Sequence, residues 1–300
     1  MPHRVRRFAK PERTSRIEPL MATGETSLHW PEYFIEAGAI GTFMVSAAVF
    51  AALLYHPSSQ ISGAISNELV RRAFMGLAMG STAVAIIYSP WGQRSGAHMN
   101  PAVTLTFFRL GKVAPPDFAG YVTAQFAGAI IGIAAAASAL GGIVSDPPVN
   151  YVRTLPGPTG DAVAFVAEAV ISFVLMLTVL TVSNRRRLSR LTGLCAGLLV
   201  WAYITVEAPL SGMSMNPART FGSALLARDF LGLWIYFTAP PLGMLFAAEL
   251  FTRRFGVERV LCAKLHHPAI GPCIFGCGDS PAQIARPGVT VRDGRPHATL

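Results

Sequence analysis

The 300-residue sequence predicts an all-α membrane protein with six transmembrane helices and two re-entrant half-helices, arranged as an inverted internal repeat. Three observations predict this. Hydrophobic residues make up 52% of the chain and charged residues 14%, well under the roughly 25% charged residues of soluble domains. The apolar residues fall in six runs long enough to cross a bilayer, which takes about 20 residues per helix. One ten-residue phrase also occurs twice, as Ser95-Gly96-Ala97-His98-Met99-Asn100-Pro101-Ala102-Val103-Thr104 and as Ser211-Gly212-Met213-Ser214-Met215-Asn216-Pro217-Ala218-Arg219-Thr220. Seven of the ten positions are identical, and the Asn-Pro-Ala triplets lie 116 residues apart. A polar break at matching places in two hydrophobic halves points to a pore built from a repeat.

The elements follow in order. Residues 1–31 form a basic tail with Arg4, Arg6, Arg7, Lys10, Arg13 and Arg16 and no cleavable signal pattern; Met21 is a second candidate start. The first repeat, 32–145, holds spans at 33–54, 70–89 and 117–141 and a half-helix at 101–110. Gly120, Ala124, Gly128 and Gly132 place a small residue at every fourth position of its third span, a face suited to close helix packing. A Pro- and Gly-rich connection, 146–160, leads to the second repeat, 161–252, with spans at 161–182, 190–207 and 231–251 and a half-helix at 217–227. Gly193 and Gly197 form a similar small face there. At 1.5 Å per residue the half-helices rise only about 15–17 Å, half a bilayer. The last segment, 253–300, is a second basic tail, expected to be disordered beyond 278 where Pro, Gly and Arg dominate.

The net charge of +9 is concentrated outside the spans, in the N-tail, at Arg185, Arg186, Arg187 and Arg190, and at Arg253, Arg254, Arg259 and Lys264. Basic clusters that abut membrane segments mark cytoplasmic faces rather than a nucleic-acid site. Both termini are then cytoplasmic, and Arg71 and Arg72 run against the rule. Three spans per repeat is an odd number, so the second copy enters the membrane upside down. The two half-helices therefore dip in from opposite faces and meet near the midplane.

Each Asn fits a helix N-cap and each Pro the first helical position. The capping oxygen holds first-turn N–H groups, which leaves the amide NH2 of Asn100 and of Asn216 pointing outward as a fixed donor. Two such donors, with the partial positive charge of two helix N-termini, hold the oxygen of a passing solute, repel cations and interrupt a proton relay. Broken backbone at this depth is tolerated where it lines a watery cavity or is buried in protein.

The doubled Asn100-Pro101-Ala102 and Asn216-Pro217-Ala218 motif resembles the aquaporin, or major intrinsic protein, family over about residues 32–252. The resemblance implies a homotetramer with one pore per subunit and passive transport without a cofactor. It also implies a narrow filter lined by Arg219, by Met213, by Ile204 where water-selective members usually carry His, and by a residue of span two. Counting gives Gly80 for that last position, and local alignment gives Met79. One polar wall and three apolar ones put strict water selectivity in doubt. Thr220, standing where glycerol channels usually carry Asp, and Ala224 with Tyr236-Phe237 lean toward water. The resemblance further implies that Glu168 accepts hydrogen bonds from a re-entrant loop. In span one the matching place is Gly38 by alignment, with Glu36 two residues earlier as the alternative.

In the C-terminal tail, Cys262, His266, Cys273 and Cys277 can close a zinc site, with His267 beside them. The expected partners are the lipid bilayer, water and small neutral solutes, with no nucleic acid and no catalytic residues. The functional reading is a passive channel for water and small uncharged solutes. A channel mainly for glycerol, ammonia or hydrogen peroxide is the alternative. A secondary transporter and a non-conducting structural membrane protein are the rivals of another class. No further membrane-buried acidic pair is visible that would couple an ion to transport. The lack of a signal and the compact loops point to a bacterial inner membrane.

Overall fold

A computed structural model describes residues 28–267, 273–275, 277, 289–292 and 295–298. The basic N-tail and Met21 lie outside the described residues. The helices, in order, are α1 (Trp30–Tyr55), α2 (Gln60–Ala64), α3 (Glu68–Tyr88), α4 (Pro90–Ser95), α5 (Pro101–Arg109), α6 (Pro115–Leu140), α7 (Gly142–Ser145), α8 (Asp161–Ser183), α9 (Thr192–Val206), α10 (Ala208–Ser211), α11 (Pro217–Ala227) and α12 (Leu233–Phe255). Six stretches are long and apolar enough to cross a membrane: α1, α3, α6, α8, α12 and Ser189–Val206, which is α9 with the 3-10 turn that leads into it. The half-helices α5 and α11, nine and eleven residues long, fall where the sequence puts them. A two-stranded antiparallel hairpin, β1 (Val289–Arg292) and β2 (Arg295–Ala298), pairs within the tail that was expected to be disordered.

Local chemistry sets the helix starts. Asn67 caps α3 by accepting from the N–H groups of Leu69 and Val70, and Ser89 caps α4 by accepting from Gly92 N–H. Proline occupies the first turn of α4, α5, α6 and α11, where its missing N–H is no loss. The long helices also leave large apolar side chains on their outer faces. Phe34, Ile131, Val166, Leu198, Leu242 and Phe246 are all exposed. That arrangement is costly in water and suits a hydrocarbon surround.

The repeat is visible in the packing. Helix α1 lies along α6 as α8 lies along α12, while α3 and α9 meet between the two halves. Glycines set these approaches. A Cβ on Gly132 would lie 2.5 Å from Gly41 O, and one on Gly128 would overlap the Ala37 backbone, so α1 and α6 touch backbone to backbone. Gly80 and Gly197 do the same for α3 and α9, where a Cβ on Gly80 would sit 2.5 Å from Gly197 O. The short helices α5 and α11 each pack against the third span of the opposite repeat, α5 on α12 and α11 on α6.

Candidate functional site

The two re-entrant loops are built alike. Each ends in an asparagine whose side-chain oxygen caps the following half-helix. Asn100 accepts from Ala102 N–H at 2.9 Å, and Asn216 from Ala218 N–H at 3.0 Å and Arg219 N–H at 3.2 Å. The amide nitrogens reach across to the other loop. Asn100 Nδ2 donates to Met215 O at 2.6 Å, and Asn216 Nδ2 donates to Met99 O at 2.7 Å. The sequence leads us to expect each NH2 to point outward as a fixed donor, and one hydrogen of each is instead tied to the opposite loop. Each carries two hydrogens, one tied to the opposite loop and one left over. The crossed bonds fix both amides, so the remaining donor hydrogens are held rather than floppy.

The loops need unusual backbone to do this. Ala97, Met99, Met213 and Met215 all have φ between 50° and 55°, a region that side chains rarely adopt. Gly96 and Gly212, at φ 100° and 76°, begin the turns. Two buried carboxylates hold this strained chain. Glu36 accepts from Ser95 Oγ at 2.8 Å, His98 N–H at 3.0 Å, Met99 N–H at 2.6 Å and Gln125 Nε2 at 2.9 Å. Glu168 accepts from Ser211 Oγ at 2.9 Å and from the N–H groups of Ser214 and Met215 at 2.7 Å each. Tyr121 and Tyr236 complete the pattern by donating from their hydroxyls to Ser95 O and Ser211 O. Glu36, not Gly38, is thus the partner of Glu168; Gly38 has no neighbouring atom that a Cβ would meet.

The second loop has a residue that the sequence reading missed. Glu207, buried at the end of α9, approaches Ser211 Oγ at 2.5 Å, and its other oxygen has no hydrogen-bond partner among the described residues. Glu168 and Glu207 therefore flank one serine hydroxyl, a buried acidic pair where none was expected. Its signal is the spacing Glu-x3-Ser ahead of the second repeat phrase, which has no match ahead of the first, where Trp91 stands.

A cavity of about 340 Å3 runs past both asparagines, many times the roughly 10–15 Å3 that one water needs. Along α3 it is lined from Arg72 to Ile87, a rise of about 22 Å at 1.5 Å per residue. Met79, Ile204, Met213 and Arg219 all line it. Gly80 does not, because it faces the backbone of α9 at Gly197; the count back from Asn100 is corrected to Met79. The turn around Pro90 folds as the short helix α4. Arg219 Nη1 is buried without a hydrogen-bond partner among the described residues. Arg219 is not the only cation on the wall, since Arg72 and Arg153 line the same cavity. Arg72 is steadied by its Nε bond to Thr205 O at 3.1 Å, and Arg153 pairs with Asp229.

In the C-terminal tail, Cys262, His267, Cys273 and Cys277 gather so that their potential ligand atoms lie within 4.8 Å of one another. His266, expected in this group, instead packs edge-on against Tyr88 at 4.9 Å. The chain bends at 265–266 and turns the two neighbouring histidines to different surroundings, so His267 rather than His266 joins the cluster.

Six spans, two half-helices meeting at crossed asparagines and a cavity along them define an integral membrane protein of the channel class. The pattern of the family described as major intrinsic protein matches residues 27–251. Aquaporin NIP2-1 of Oryza sativa subsp. japonica is 35% identical over 211 residues, 70% of this chain and 69% of that protein. A probable aquaporin NIP-type of Nicotiana alata is 34% identical over 154 residues, 51% of this chain and 55% of its own length. Aquaporin NIP1-3 of Oryza sativa subsp. japonica is 36% identical over 146 residues, or 49% of its length, so the match spans about half of each of the latter two relatives. Among solved structures, the aquaglyceroporin from Plasmodium falciparum shares the fold with a TM-score of 0.60 at 21% identity, covering 74% of this chain and 95% of that one. The chain belongs to the major intrinsic protein, or aquaporin, family. These sequence relatives are plant proteins and lend no support to the bacterial inner membrane expected from the sequence.

Proposed function

We propose that the chain is a passive transmembrane channel for water and small uncharged solutes, closed to protons and ions. The crossed Asn100–Asn216 pair carries this reading. Its held amide hydrogens face a continuous cavity from the N-termini of two half-helices, so a solute oxygen is accepted there and a cation is not. A water that points its oxygen at both amides has its hydrogens directed away from them, which breaks the file along which a proton would hop. Arg219 acts as the positive guard of the filter, with Met79, Ile204 and Met213 as its apolar walls.

Those three walls favour a second reading within the same class, a channel that also passes glycerol, ammonia or hydrogen peroxide. Apolar side chains leave the solute's own hydrogen bonds to Arg219 and water, and methionine adapts its shape. The Glu168–Ser211–Glu207 cluster offers buried acids of the kind a proton-coupled transporter uses. Glu168, though, is engaged with the backbone of a rigid loop, which favours the channel. We further propose a homotetramer, with the basic 184–191 loop and both tails on the cytoplasmic side.

Stopped-flow light scattering on proteoliposomes after an osmotic jump tests the proposal. Fast shrinkage with a low activation energy is expected, with Arg219→Val keeping water flux and gaining cation leak. Shrinkage no faster than in empty liposomes, from protein shown to be folded, would refute a water pore. Flux of glycerol, ammonia or peroxide is then measured on the same preparation.

A further inference from the structure

We propose that Cys262, His267, Cys273 and Cys277 bind one zinc ion, and that the ion clamps the C-terminal segment across one mouth of the cavity. The first half rests on the donor set. Three thiols and an imidazole are soft ligands that favour zinc over magnesium or calcium. Zinc–sulfur bonds of about 2.3 Å and a zinc–nitrogen bond of about 2.0 Å in a tetrahedron set ligand atoms about 3.5–3.8 Å apart. Cys262 Sγ and Cys273 Sγ, 3.6 Å apart, already stand at that spacing, whereas His267 Nε2 and Cys277 Sγ, 2.9 Å apart, are hydrogen-bonded to each other and open by about 0.6 Å to admit the ion. The sulfurs are far beyond the roughly 2.05 Å of a disulfide, and all four cysteines of the chain are free thiols. Lys264 N–H donates to Cys262 Sγ at 3.4 Å, a contact that steadies a thiolate. Binding releases the thiol protons to solvent as Zn2+ takes their place.

The second half rests on what the clustered segment touches. Ala263 and Leu265 lie between two of the ligands. Ala263 O is 2.8 Å from His98 Nε2, and Leu265 N–H donates to Gly96 O at 3.1 Å. Phe275, between the other two ligands, stacks on the His98 ring at 5.7 Å with 10° between the planes. His98 and Gly96 belong to the loop that carries Asn100, and Leu265 lines the cavity. An ion joining 262, 267, 273 and 277 therefore locks Leu265 into the pore mouth and braces the first asparagine loop. Removing it frees the segment, and the mouth widens.

The clamp rests on the channel reading; the metal site does not, and the tests separate them. Full-length protein purified without a polyhistidine tag is expected to hold one zinc per chain by elemental analysis. The Cys273→Ser variant should fall below about a tenth of that, and His266→Ala should keep it. Folded, monodisperse wild type that takes up no zinc after dialysis against the ion would overturn the site. In proteoliposomes that conduct, a membrane-permeant chelator should raise permeability by about 2-fold or more, and Cys273→Ser should show the raised value and ignore the chelator. Unchanged flux in zinc-loaded protein overturns the clamp alone. Should the protein conduct nothing, trypsin reads the clamp instead. Cleavage at the buried Lys264 is expected to be blocked by zinc and opened by chelation, and equal cleavage in both states rejects it.

Discussion

Replacing Glu36 by alanine is the sharpest test of how the loops are held. The carboxylate accepts four hydrogen bonds at 2.6–3.0 Å, two of them from the backbone N–H groups of His98 and Met99. In Glu36→Ala those two donors are left buried without partners, at about 1–3 kcal/mol each. Ser95 Oγ and Gln125 Nε2 also lose an acceptor, and the left-handed Ala97 and Met99 lose what holds them there. A total near 4 kcal/mol is a large share of the roughly 5–15 kcal/mol by which proteins are stable. Glu36→Gln keeps one acceptor oxygen but turns an NH2 toward a donor, so it should fall between. Gly38→Ala is the control. No atom lies within reach of the added Cβ, and alanine gains up to about 1 kcal/mol over glycine in a helix. Folded yield by size exclusion and melting temperature in detergent measure all three. The expected order is Gly38→Ala at or above wild type, then Glu36→Gln, then Glu36→Ala with most folded protein lost. A Glu36→Ala protein with wild-type yield and melting temperature would refute the account, as would a Gly38→Ala protein that fails to fold. The same series at Glu168 should run in parallel.

Three further outcomes follow from neighbouring contacts. Met79→Ala should raise permeability to larger neutral solutes without loss of folded protein, while Gly80→Ala should lower folded yield because its Cβ would press on Gly197 O; solute swelling assays and size exclusion separate the two. The Leu231 backbone N–H first, and Arg153 second, hold the Asp229 carboxyl below the usual carboxylate range. A folded-state pKa below the unfolded one adds stability that is present above the ordinary carboxylate pKa of about 3.9 and is lost as pH falls through the folded value. Melting temperature should therefore drop more steeply in acid for wild type than for Asp229→Asn. Glu207→Gln should leave water flux and folded yield near wild type, since Glu168 still receives the Ser211 hydroxyl; loss of flux with the fold intact would move the acidic pair into the transport path.

What was legible in the sequence, and what was not, follows the physics of the repeat. Spans, half-helices and capping asparagines are local: each depends on an apolar run or on a residue and its next two N–H groups, so the text alone places them within a few residues. Met79 versus Gly80 is not local. It depends on which side of α3 faces α9, and the small Gly197 decides that from 117 residues away. Glu36 hid behind a two-residue offset because local alignment points to position 38, which is exposed and meets no neighbour, while position 36 is the one turned inward to the loop. His267 replaced His266 because side-chain direction in an irregular tail has no period to read. Comparing the two loops carries the argument further. The copies agree wherever they build the scaffold, in the serine, the asparagine, the carboxylate and the tyrosine that tie each loop down. They differ at His98 against Ser214, at Val103 against Arg219 and at Trp91 against Glu207. The first loop's distinct residue, His98, bonds to the C-terminal tail, and the second loop's distinct residues are a cation on the cavity wall and a buried acid. A pore with identical ends would need none of these. Symmetry is kept where two loops must meet and is broken where the two mouths face different surroundings.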